Sequence, residues 1–161
     1  MPKRHVKLTN IHKIACNAII AYAHAENLNV SRTLAHHYAS RIAAGTMWLT
    51  LTDDTWFDDI DTETLDLFDC SHCVLGQVVG DYRACVLTEQ THQIQTGTPE
   101  TLARQAETAG LQISYEVATA LGFHLDSDHD TGRRSYTLLT AGWQGVIEHL
   151  QAKHVRHTVD A

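Results

Sequence analysis

No run of about 18 or more apolar residues occurs in the sequence, so a membrane-spanning helix is not expected. The N-terminus, MPKRHVKLTNIH, lacks the apolar stretch and the small-residue cleavage site of a signal peptide. Patterns alternating apolar and polar residues are scarce and no internal repeat is present, which argues against a sheet-based or solenoid architecture. Cysteine is sparse as well: Cys16, Cys70, Cys73 and Cys85 sit in a chain of 161 residues that is 43% hydrophobic. A chain of that length and composition can bury one good core without a disulfide framework, so reduced thiols and a soluble, cytoplasmic protein are expected.

Acidic side chains are nearly missing from the first 52 residues, where six basic residues (Lys3, Arg4, Lys7, Lys13, Arg32, Arg41) face only Glu26. The remainder carries the opposite balance and brings the whole chain to a net charge of −7. A division of this kind suggests different partners for the two parts. Twelve histidines make the charge sensitive to pH near neutrality.

Helical periodicity organises most of the chain. Ile14, Ala15, Ala18, Ile19 and Tyr22 recur at spacings of three and four, and ENLN ends that stripe. Ser31 is suited to cap a second helix carrying Leu34, Tyr38, Ile42 and Leu49 on one side. The segment 53–69 holds eight acids and no base, yet Trp56, Phe57, Ile60, Leu65 and Leu67 tie it to a core, so an ordered acidic loop is expected. A helix is expected from about Cys73 to Thr91, another from Pro99 to a stop at Gly110, and a short one from Tyr115 to Leu121 ending at Gly122. Tyr136, Leu139, Trp143, Ile147 and Leu150 mark the last helix. The fold class is therefore mainly α: a compact acidic helical domain over 45–161, with a basic, helix-turn-helix-like two-helix extension over 1–44. Trp48, Trp56, Tyr82, Phe123 and Trp143 are the expected core aromatics.

Several residue groups could carry chemistry. Cys70-x-x-Cys73 with His72 is half of a structural zinc site and needs further ligands, for which Cys85 and His92 are available. The same pair at a helix start could act as a redox couple, or it could simply open a helix. His24, Glu26, Cys70 and Cys73 match the residue types of zinc deaminases, in which one His and two Cys hold zinc and a Glu moves protons. Asp69 stands where that signature has proline, and the intervening residues read as helix. Asp126, Asp128 and Asp130 alternate as in calcium loops, but the glycine and the closing ligand are displaced, so an exposed polar loop is the simpler reading.

The basic helices offer a binding surface. With Leu34, Tyr38 and Ile42 inward, Arg32, Thr33, His36, His37, Ser40 and Arg41 face outward and could meet phosphates and bases. Asn27 occupies the turn where glycine is usual. The alternative is a helical hairpin packed on the domain or on a second copy of the chain. The acidic segment 53–69 allows an opposite role, docking on a partner's basic groove.

The segments GTMWLT, W…DIDTETLDL, C…CVLGQVVGDY, ALGF and YTLLTAGWQGVI together resemble small proteins of actinobacteria and their phages, over roughly Gly45 to Leu150. The resemblance implies no particular activity. It implies that the first 44 residues are a separable addition, and it favours small regulators and inhibitors of host proteins. The expected function is thus a non-enzymatic binding or regulatory protein contacting nucleic acid through Arg32, Thr33, His36, His37 and Arg41. A phage-type inhibitor acting through residues 53–69 and a zinc-dependent hydrolase or deaminase are the alternatives. DNA or a protein, including a homodimer mate, is the expected partner; zinc is the one cofactor the residues suggest.

Overall fold

The computed structural model describes residues 8–69, 71–79, 86–87, 113–125 and 133–159. Among the described residues, five helices carry the fold: α1 (Leu8–Ala25), α2 (Arg32–Thr52), α3 (Val74–Val79), α4 (Tyr115–Ala120) and α5 (Arg133–Val159). Between α3 and α4, β1 (Val86–Leu87) and β2 (Ile113–Ser114) pair in parallel, Val86 opposite Ile113 and Leu87 opposite Ser114. The chain is mainly helical, as its periodicity predicts. Among the described residues no helix is long and apolar enough to cross a membrane.

Local chemistry sets the ends of these helices. Ser31 caps α2, its Oγ accepting the Leu34 N–H at 3.1 Å and satisfying one of the orphan donors of the first turn. The end of α1 is closed by Asn27 in the left-handed region, φ 53°. There the Leu28 N–H reaches back to the Ala23 carbonyl at 2.7 Å and the Asn27 N–H to that of His24 at 3.3 Å. Asparagine tolerates this conformation better than other non-glycine residues, so Asn27 does the work of the expected glycine. α4 ends in the same way at Gly122, φ 78°, with the Phe123 N–H on the Ala118 carbonyl at 2.9 Å.

The core runs from Ile11 to Leu150 and draws on every helix. α1 packs against both α2 and α5. The α1–α5 contact is close because small residues face each other: a Cβ on Gly145 would stand 2.6 Å from that of Ala18. At the centre, Trp143 is fully buried, stacks on Phe123 (centroids 5.2 Å apart, planes 12° from parallel) and meets the edge of Trp56 at 6.1 Å. Its indole N–H donates to the Gly122 carbonyl at 2.7 Å. Trp48, Trp56 and Phe123 are buried beside it, as expected; Tyr82 lies outside the described residues.

Two expectations change. The boundary between residues 44 and 45 falls inside α2, and Ala15, Ile19, Ile42 and Leu139 belong to the same core, so residues 8–52 are built into the domain rather than appended to it. The helix expected over 73–91 is interrupted: α3 ends at Val79, and Val86–Leu87 is extended. Gly76 and the adjacent β-branched Val78 and Val79 weaken helix propagation here, while pairing with Ile113–Ser114 offers the backbone another set of partners. The helix expected from Pro99 and the candidate calcium loop 126–132 lie outside the described residues.

Replacing Trp143 by Phe removes the donor to Gly122 and leaves a gap beside Phe123. Urea denaturation should show a loss of about 2–4 kcal/mol in unfolding free energy.

Candidate binding faces

The acidic segment is an ordered loop whose aspartates shape their own backbone. Asp53, Asp61, Asp66 and Asp69 each accept, through Oδ1, the N–H two residues on, at 3.0, 3.0, 3.0 and 2.9 Å. These are Asx turns, in which a short carboxylate side chain replaces a backbone turn acceptor. Glutamines hold the loop from outside: Gln151 donates to the Phe57 and Ile60 carbonyls, both at 2.9 Å, and Gln77 joins Asp61 to the His72 carbonyl. His154 meets Asp58 at 2.7 Å. Trp56, Phe57, Ile60, Leu65 and Leu67 are buried, as the sequence suggests.

Phe68 breaks that rule. Its side chain is 51% exposed, edge-on to Tyr136 and beneath the Arg133 guanidinium, 5.9 Å from the ring centroid. Beside it opens a cleft of about 340 Å³ lined by Tyr22, Glu63, Asp66, Arg133, Thr137 and Gln144 among others.

The cysteine motif resolves locally. Cys73 is buried just ahead of α3 and its Sγ accepts the Gly76 N–H at 3.2 Å, so the thiol serves as a helix cap. His72 points to Asp69, with Nδ1 to Oδ2 at 2.9 Å. The Ser71 N–H, and then the His72 side chain, hold the Asp69 carboxyl below its usual range. Cys70 lies outside the described residues. His24 and Glu26 are exposed at the end of α1. Among the described residues no three histidine, cysteine or acidic side chains converge as a metal would require, so His24, Glu26, His72 and Cys73 are not gathered into one site.

The face expected on α2 takes shape as follows. Arg32, Thr33, His36, His37 and Ser40 are exposed, and Arg41 is half-buried. Burial, and then the nearby Arg41 charge, lower the pKa of His37. α1 extends the surface with exposed Lys13 and half-buried His12, whose ring stacks on His36 at 5.2 Å. From residue 8 to residue 52 the only acid is Glu26, in the turn between α1 and α2. Reading α2 alone misses His12 and Cys16. Their spacing of four, opposite a histidine one turn into the next helix, is the signal that could have found them.

Two residues past the Gly122 turn, His124 sits against Tyr136, whose hydroxyl lies 3.2 and 3.3 Å from the two ring nitrogens. Burial lowers its pKa. A lowered folded-state value means that the unfolded chain binds the proton more readily. Stability is then complete above the ordinary histidine value of about 6.5 and declines as pH falls below it. Urea midpoints should therefore be lower at about pH 5.5 than at about pH 7.5, and His124→Gln should narrow the difference.

Set beside known proteins, the chain matches no family model, no curated sequence and no solved structure.

Proposed function

We propose that the protein is a non-enzymatic binding protein that contacts nucleic acid through the α1–α2 face. The observation that carries this reading is the joint exposure of Arg32, His36, His37 and Lys13, with Arg41 at their edge, on two helices that contain no acid, Glu26 lying in the turn between them. Ser31 and Asn27 fix the junction between the helices, so the cations are presented by rigid elements rather than by a loop. Phosphate contacts from such a face supply affinity that is independent of sequence and released by salt.

Titration of a duplex oligonucleotide should show affinity falling linearly with salt on logarithmic axes. Arg32→Ala together with Arg41→Ala should reduce that slope by about two. Binding unchanged in the double variant removes this face from the interaction.

Phe68 favours a second reading, in which the acidic loop docks on a basic protein surface. An exposed aromatic beneath the Arg133 guanidinium, beside a cleft holding Glu63 and Asp66, has the apolar centre and charged rim of an interaction site. On this reading, an arginine-rich peptide should bind the protein and lose about tenfold or more in affinity with Phe68→Ala. Equal binding by the variant rejects it.

A further inference from the structure

The exposed half of α2 meets α1 through two imidazoles. The rings of His12 and His36 stack with centroids 5.2 Å apart and planes 16° from parallel. His36 is exposed and His12 half-buried. The His36 Nδ1 lies 3.9 Å from the thiol of the buried Cys16, so Nε2 is the ring nitrogen that this contact does not engage. Nearly parallel rings cannot both direct an in-plane lone pair at a single ion, so the arrangement does not suit a metal. It suits an acceptor-rich group lying along the two ring edges.

The charges around the pair are almost all of one sign. Lys13 flanks it on α1, and Arg32, His37 and Arg41 on α2. α5 passes α1 with Gly145 against Ala18 and carries Glu148, His149 and Lys153 beyond that contact. The Glu148 carboxylate accepts from Gln144 at 3.3 Å. A proton on either ring adds a positive charge to this setting, and protons on both place like charges side by side. A phosphate oxygen at the ring edges offsets that repulsion and accepts the N–H groups that protonation creates. Proton binding and phosphate binding then reinforce one another, each by the same free energy.

We propose that His12 and His36 form a proton-linked phosphate-binding pair, so that the α1–α2 face takes up a proton as it engages a phosphodiester backbone. The proposal rests on the reading of this face as a nucleic-acid contact and names its regulation. Acidification through the histidine range strengthens the complex, and binding raises the proton occupancy of the pair.

The test is calorimetry of the full chain with a duplex of mixed sequence at about pH 6.5, in two buffers of different protonation enthalpy. An affinity series from about pH 7.5 to about pH 6 accompanies it. The expected result is uptake of about one proton and affinity rising up to about tenfold per pH unit. Both effects should disappear in His12→Gln with His36→Gln, whose remaining affinity, whatever its level, no longer changes with pH. Circular dichroism confirms that the variant is folded, and the single variant His12→Asn, at a half-buried position, replaces it if it is not. Wild-type binding with no proton uptake and no pH dependence overturns the proposal and leaves the reading of the face standing, as does a folded variant that keeps the full pH response. Absence of wild-type binding at every pH overturns both.

Discussion

The hydrogen bond from the Trp143 indole to the Gly122 carbonyl fixes the relation between three elements. Gly122 ends α4 in a left-handed conformation, and a Cβ there would stand 2.9 Å from the Ile42 nitrogen of α2. Gly45, one turn further along α2, lets the Leu121 carbonyl and the Trp143 ring approach its backbone, where any Cβ would collide with both. The turn after α4, the middle of α2 and the centre of α5 are thus locked at one point by a buried donor, a carbonyl and two missing side chains. An indole N–H in a dry core needs its acceptor, and the acceptor is in reach because neither glycine brings a methyl group between the backbones.

Much of this architecture is legible in the sequence, and the reason is local. Helix periodicity, the Ser31 cap, the stop at Gly122 and the buried aromatics are set by residues within a few positions of one another, and each behaves as its chemistry requires. The anchored acidic segment is legible too, since apolar residues at intervals within a charged run have nowhere to go but inward. The parallel pairing of Val86–Leu87 with Ile113–Ser114 is not legible, because it joins residues far apart in the chain and its strands are too short to show alternation. The place of residues 8–52 in the core is hidden for a similar reason. The charge division suggests an appendage, whereas the packing of Ala18 against Gly145 depends on the shape of a distant helix.

The candidate binding faces follow the same pattern. Exposure of Arg32, His36 and His37 follows from the helix stripe alone. The stack of His12 on His36 depends on how α1 and α2 are set together, which no window of sequence contains. In the cysteine motif, the Cys73 thiol caps a six-residue helix, while Gln77 in the same stretch ties the acidic loop to its neighbours.

α2 is one uninterrupted rod with two environments. Its first turns present Arg32, His36 and His37 to solvent on one side while Ala35, Tyr38 and Ala39 join the core on the other, and its last turns carry Trp48 and Leu49 into the core. A ligand that grips the outer turns therefore holds the same element that seats Trp48. Its binding free energy is added to the unfolding free energy of the whole domain instead of being spent on ordering a loose arm. Occupancy of the surface and lifetime of the fold become a single thermodynamic quantity, so a protein of this design would persist longest where its ligand is most abundant.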